Sequence, residues 1–304
     1  MSLIKIAKWS VWDTVLPPIR QPAYEISEVE GKGVGMVATR RIRAGELLVN
    51  ERPVYAQRKR IARPIDYTDT NGYFYLGAVN GLAQASQNAI YALKNSFGPE
   101  THELLGILRT NFLTHDIAEE PDPANDFVGI FPTISRVNHS CTPNSNYYFS
   151  FGTFSGELRA IRDVEAGEEI TIMYVNIAAQ GRVRRSWLKE DYFFACGCNT
   201  CTVSDAEAAA SDGRRTQVGR IIRTLEMNPS EAPLSQLELQ DGLNMAKAEG
   251  LVVHYAQILW YGAARLARLN KRQLAADWLK RAKREYLIIE GECSPTSKAL
   301  RMIR

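Results

Sequence analysis

The chain has 304 residues, enough for about two domains at roughly 100–200 residues each, with 45% hydrophobic and 23% charged residues, an ordinary globular balance. Lys and Arg number 37 against 34 Asp and Glu, a net charge of +3 that is too weak to argue for nucleic acid. No apolar run approaches the ~20 residues of a membrane span. The opening residues, interrupted by Lys5, Lys8 and Asp13, lack the apolar stretch of a signal peptide. A soluble intracellular protein, nuclear or cytoplasmic or both, is expected. The basic clusters Arg58-Lys59-Arg60 and Arg182 to Arg185 read as solvated surface.

In chain order, Gly31-Lys32-Gly33-Val34-Gly35 predicts a flexible turn and Met36 to Thr39 a strand. Arg43-Ala44-Gly45-Glu46 predicts a turn before the apolar run Leu47-Leu48-Val49. From Asn71 to Arg109 the texture is helical, with Leu104, Leu105 and Leu108 at helical spacing. Short strands return at Phe127 to Phe131, Tyr147 to Phe151, Leu158 to Ile161 and Ile170 to Tyr174. The turn Asp163 to Glu168 echoes Arg43 to Glu46 and reads as a second, similar hairpin entry.

After Cys201 the period becomes helical. Val218, Ile221, Ile222 and Leu225 share one face, as do Val252, Tyr255, Ala256, Leu259, Ala263 and Leu266, and then Ala275, Leu279, Ala282 and Tyr286. Gly250 and Gly291 sit where helix C-caps belong, and Pro229 and Pro295 where helices stop. Antiparallel helix pairs of TPR-like character are expected.

Three of five cysteines, Cys196, Cys198 and Cys201, crowd into six residues. That spacing suits metal ligands better than disulfides, and thiols at this density rarely serve only as apolar filler. Structural zinc takes four Cys or His ligands in a tetrahedron. A fourth must come from elsewhere, with Cys141 the first candidate and Cys293 and His115 the others. Cys141 lies in Arg136-Val137-Asn138-His139-Ser140-Cys141-Thr142-Pro143-Asn144, where Asn138 and His139 offer an amide and an imidazole to a polar ligand.

With these pieces in order, the chain resembles the SET-domain protein lysine methyltransferases, closest to the SMYD branch and its fungal relatives. The resemblance runs over about residues 24–201. It rests on Gly31–Gly35, Asn138–Asn144, Gly167-Glu168-Glu169-Ile170-Thr171-Ile172-Met173-Tyr174, and Tyr192-Phe193-Phe194-Ala195-Cys196-Gly197-Cys198-Asn199-Thr200-Cys201.

The resemblance implies an α+β protein: a β-rich SET-type fold of short strands with a pseudoknot-like crossing, a zinc-bound loop after it, and an all-α C-terminal region. The expected boundaries are 1–190, with a helical insert at about 55–115, then 191–204 and 205–304. It implies methyl transfer from S-adenosylmethionine to a lysine of a protein substrate. Lys32, Gly33, Val34, Asn111, Asn138, His139, Tyr174 and Phe194 would contact that cofactor. Tyr174 and Tyr192 would be catalytic, and Phe131 would line the lysine channel with them. Cys141, Cys196, Cys198 and Cys201 would hold structural zinc.

The chain departs from the SMYD pattern in two ways. No cysteine lies between Glu51 and Asp126, so the MYND zinc finger of that branch has no ligands here. Lys32 replaces a more usual small polar residue. A SET fold that binds a peptide without catalysis is the alternative, although retention of Asn138-His139 with Tyr174 argues against it. The chain is expected to be monomeric.

Overall fold

A computed structural model describes residues 15–58, 73–116, 126–150, 152–292 and 294–302, except 17 and 20. The opening segment, Lys59-Arg60, Phe151 and Cys293 lie outside the described residues, as does the side chain of His115.

The first half is built of three small sheets. In one, β1 (Tyr24–Val29) forms a hairpin with β2 (Gly33–Ala38). The sequence assigned Gly33-Val34-Gly35 to a flexible turn, whereas they open β2 and only the chain around Gly31 turns. Gly31 and Gly33 both have φ +71°, which a glycine adopts without strain. A second sheet orders β3 (Leu47–Glu51), β9 (Ser155–Ala160) and β8 (Ser145–Ser150). The third holds β4 (Tyr55–Arg58), β6 (Asp126–Ile130) and β5 (Leu113–Asp116). Met36, Leu48, Phe127, Phe131, Leu158 and Ile170 fill the core between them.

The two echoing turns are related by a local pseudo-twofold. Ile42 and Val164 pair, each amide donating to the other's carbonyl at 2.9 and 3.0 Å. Gly45 (φ +88°) donates to the Ala160 carbonyl and Gly167 (φ +84°) to the Ala38 carbonyl, each at 2.7 Å. Glu46 pairs with Arg40, and Glu168 with Arg162. Glycine is required at both corners because the backbone turns left-handed there.

The insert supplies α1 (Tyr73–Asn80), α2 (Gln84–Tyr91) and α3 (Glu103–Asn111), which pack on Tyr55 and Ile130 through Tyr75, Val79, Ile90 and Leu104. The first sheet is completed when β10 (Glu169–Ile172) pairs antiparallel with β2 and parallel with β7 (Asn138–His139).

The rest is helical: α4 (Gly181–Tyr192), α5 (Asp205–Met227), α6 (Gln236–Ala248), α7 (Val252–Arg268), α8 (Arg272–Ile289) and α9 (Pro295–Met302). Ser204 and Ser235 cap α5 and α6 in reciprocal boxes with Glu207 and Glu238. Gly250 and Gly291 follow helix ends at positive φ. Pro295 begins a helix instead of ending one, because its missing N–H is not needed in a first turn. Trp278 is fully buried against Gly262, where a Cβ would lie 2.7 Å from the indole. Among the described residues no helix is long and apolar enough to cross a membrane.

Arg215 of α5 joins the helices to the β-rich part. It is fully buried, and its guanidinium donates to Glu249 at 2.8 Å, to the Ile177 carbonyl at 2.6 Å and to the Cys141 carbonyl at 3.2 Å. Arg215→Ala is expected to cost about 3 kcal/mol in urea unfolding. That is the low end for a broken buried pair, since Arg214 still meets Glu249 at 2.7 Å. A loss below about 1 kcal/mol would mean that water replaces the guanidinium.

Candidate active site

Two distant stretches are stitched together at the centre. Thr171 and Ile172 pair with Asn138 and His139. The Ser140 amide donates to the Ile172 carbonyl at 3.0 Å. The Thr171 amide donates to Asn144 Oδ1 at 2.8 Å, and Asn144 Nδ2 donates to the Glu169 carbonyl at 2.8 Å. The Asx side chain thus stands in for a strand partner where Thr-Pro-Asn bends the chain away.

This stitching brings Tyr174 onto the buried His139–Val137 segment. Its amide donates to His139 Nδ1 at 3.0 Å, and its hydroxyl donates to the Val137 carbonyl at 2.6 Å. Burial pushes the Tyr174 hydroxyl well above the usual phenol range, with Tyr192 and Glu169 adding to the shift. Burial also holds His139 neutral, down to about 4. A neutral imidazole that accepts at Nδ1 carries its proton on Nε2. Nε2 lies 3.4 Å from Cys141 Sγ, so it donates to the sulfur.

A cavity of about 190 Å³ lies beside Tyr174. Tyr192 and Tyr147 line it with Ser135, Val137 and Ile172. The Tyr174 and Tyr192 ring centroids are 4.9 Å apart. None of the described lining residues is Asp, Glu, His or Lys.

On the other side of Val137–Asn138 lies the glycine turn. Asn138 Nδ2 donates to Glu169 Oε1 at 2.9 Å and to the Val34 carbonyl at 3.3 Å, and Lys32 is ion-paired with Glu169. A Cβ on Gly35 would sit 2.7 Å from Asn138 Nδ2, so only glycine lets the amide in. A Cβ on Gly31 or Gly33 would meet nothing within 4 Å, which leaves open space along that backbone. Phe194 is half-buried at 6.3 Å from the His139 ring and 6.5 Å from the Tyr174 ring.

The four sulfurs of Cys141, Cys196, Cys198 and Cys201 all lie within 4.8 Å of one another, with Cys141 and Cys201 3.6 Å apart. Tetrahedral zinc with bonds of about 2.3 Å would set sulfurs about 3.8 Å apart, so the group can hold such an ion. The chemistry of the set agrees. Hydrogen bonds among the four thiols push Cys198 down and Cys141 up, and a set of thiolates this close suits a bound cation. Loop 193–204 between α4 and α5 carries three of these cysteines, and Phe193 begins it in a left-handed conformation at φ +60°.

Residues 33–175 match the SET domain family model. This part of the chain is a SET domain. The chain is 28% identical over 209 residues to a fission yeast (Schizosaccharomyces pombe) protein named histone-lysine N-methyltransferase set5, covering 68% of this chain and 60% of that one. It is 42% identical over 81 residues to human histone-lysine N-methyltransferase SMYD3, covering 27% and 18%. It is 35% identical over 86 residues to human N-lysine methyltransferase SMYD2, covering 28% and 19%. The chain therefore spans at most about three fifths of these curated relatives.

The SET domain does not place every residue where its sequence pointed. Phe131, expected on the channel, is fully buried in the core and absent from the cavity wall. It packs edge-on behind Tyr147 at 5.6 Å, and Tyr147 takes the wall position. Alternation along β8 was the available signal for Tyr147, obscured by the neighbouring Tyr148. Asn111 lies on the cavity wall, yet its amide nitrogen is spent on the Lys94 and Ile107 carbonyls at 2.6 and 2.7 Å. That nitrogen is not open to a cofactor. Within the basic run read as surface, Arg182 and Arg185 are exposed but Arg184 is fully buried, facing Cys141 and Cys201.

Proposed function

We propose that this chain transfers a methyl group from S-adenosylmethionine to a lysine side chain of a protein, histone or otherwise. The observation that carries the reading is the shared wall Val137–Asn138–His139, with an open glycine-lined backbone on one side and a tyrosine-lined cavity on the other. Gly33, Val34 and Lys32 would hold the amino-acid end of the cofactor together with Asn138 and His139, and Phe194 would cover its adenine. When bound, the cofactor supplies a methyl on a sulfonium.

The protein's own residues do the rest. A lysine amine has a pKa of about 10.4 in water and is almost wholly ammonium. The cavity mixes aromatic and aliphatic walls with neutral polar groups such as Ser135 and Asn146, and none of its described lining residues is an anion, so it offers the ammonium no counter-charge and burial favours the neutral amine. Tyr174 and Tyr192 orient the amine, and their ring faces attract a cationic centre by about 0.5–2 kcal/mol each. None of the described lining residues is placed to act as a general base, so the catalysis is orientation and desolvation. Cys141, Cys196, Cys198 and Cys201 would hold Zn²⁺, which supplies structure and no chemical step. We take 1–190 as the catalytic domain, 191–204 as the zinc loop and 205–304 as a helical flank to the substrate. The zinc thiolates suit a reducing interior, so the protein is placed inside the cell.

The test is calorimetric titration of S-adenosylmethionine into zinc-loaded protein, followed by transfer of labelled methyl to an array of lysine peptides with arginine counterparts. Micromolar binding with label only on lysine peptides is expected. Binding without transfer would leave a peptide-binding module, and no binding by folded, zinc-replete protein would end the reading.

A further inference from the structure

Tyr192, Phe193 and Phe194 are consecutive aromatic residues at the end of α4, and their rings go to three different places. Tyr192 lies in the cavity wall beside Tyr174, with ring centroids 4.9 Å apart. Phe194 lies toward His139 and Tyr174, at 6.3 and 6.5 Å. Phe193 turns to the helical insert, where its ring meets that of Phe97 edge-on at 4.7 Å. Phe193 holds this contact under strain. Its backbone is left-handed, φ +60° and ψ +33°, at a helix end where glycine is the usual residue. A bulky side chain is an outlier there, and the ring is still 52% exposed, so burial in a core does not explain it. Such strain persists where surrounding structure over-determines it, and it clusters at functional sites.

The insert side of the contact is held firmly. The Ser96 amide donates to Thr110 Oγ1 at 3.0 Å, and the Phe97 amide donates to Asn95 Oδ1 at 2.8 Å. Asn95 lies over Gly106 of α3, where a Cβ would strike its side-chain amide. The Arg109 guanidinium stands 4.2 Å from the centroid of the Phe97 ring. Thr110 and Asn111, the next residues of the chain, line the same cavity as Tyr192. The ring pair thus joins the two segments that supply opposite ends of that lining.

We infer that Phe97 and Phe193 form a clasp between the helical insert and the cysteine loop, and that they are positioning residues for Tyr192 and Phe194. The role of those two neighbours rests on the methyl-transfer reading. With the ring of Phe193 pinned from outside, the backbone between Tyr192 and Phe194 has one orientation, which sends the first ring to the cavity and the second toward His139. Neither Phe97 nor Phe193 touches cofactor or substrate.

The experiment compares zinc-loaded, full-chain wild type with Phe97→Ala, Phe193→Gly, the double variant and the conservative Phe97→Tyr. Two readings are taken: amide hydrogen exchange over 194–198, corrected for intrinsic rates, and calorimetric affinity for S-adenosylmethionine. Each single variant is expected to speed exchange and weaken the cofactor about fivefold, the size of one lost aromatic pair. The double variant should be no worse than either single one, since both remove the same contact. Phe97→Tyr should behave as wild type. Phe193→Gly should keep its Tm, because glycine relieves the left-handed backbone as the ring is lost. If Phe97→Ala changes exchange only within 94–111, Phe97 is local packing and the inference is overturned. Single effects that multiply to about 25-fold in the double variant would overturn it too, as would faster loop exchange with unchanged affinity in a chain whose wild type binds the cofactor. Coupled exchange in a wild type that binds no S-adenosylmethionine keeps the clasp and loses the methyl-transfer reading.

Discussion

Cys198→Ser is expected to drop the metal content below half a zinc per chain and to lower Tm by about 10 °C or more. Structural zinc in small thiolate sites is worth on the order of 10 kcal/mol, and its binding energy is folding energy. Losing about 4 kcal/mol of it shifts Tm by this amount at roughly 2–4 °C per kcal/mol. The damage should spread beyond the loop. The Tyr174 amide donates to His139, and His139 donates to Cys141 Sγ, so the cluster orients the imidazole and through it the end of β10. Arg215 also binds the Cys141 carbonyl. The variant should therefore lose S-adenosylmethionine affinity as well as protease resistance across 193–204. A strong chelator applied to wild type should do the same. If chelated protein keeps its Tm and its cleavage pattern, the four sulfurs are not a structural metal site.

Tyr174→Phe is expected to lower kcat/KM about 100-fold on a lysine peptide that wild type methylates, with cofactor affinity changed by less than about threefold. The hydroxyl holds the Val137 carbonyl, and Val137 belongs to the wall shared by cavity and cofactor side. Freed, the ring and the wall shift, and a misplacement near 1 Å costs on the order of 100-fold in rate. The ring remains, so the aromatic attraction survives and peptide binding should suffer less than turnover. Steady-state kinetics at a temperature well below Tm separates this from instability. Turnover equal to wild type would remove Tyr174 from catalysis.

Much of the active region was legible in the sequence because its signals are local. Positive-φ corners need glycine, so Gly45, Gly167, Gly250 and Gly291 marked turns and helix ends before any packing was known. Helical period exposed the apolar faces of α5, α7 and α8 for the same reason. The close thiols of Cys196, Cys198 and Cys201 stand out by spacing. Even Cys141, 55 residues before the first of them, was reachable through a motif. Other elements carried weaker local signals. The strand β1 and the helices α4 and α6 have short or mixed patterns, and tertiary contacts decide them.

What the sequence alone determined is therefore residue chemistry at short range: the glycine corners, the thiolate set and the order of the motifs. Only the tertiary structure decided which side of a residue faces what. Phe131 and Tyr147 are both aromatic strand residues, and nothing in their neighbours says that Gly156 and the Phe131 edge push Tyr147 to the cavity. Arg184 looks like its exposed neighbours, yet the turn of α4 carries it to the cysteines. Facing is set by contacts between segments far apart in the chain, and a one-residue change of phase reverses it.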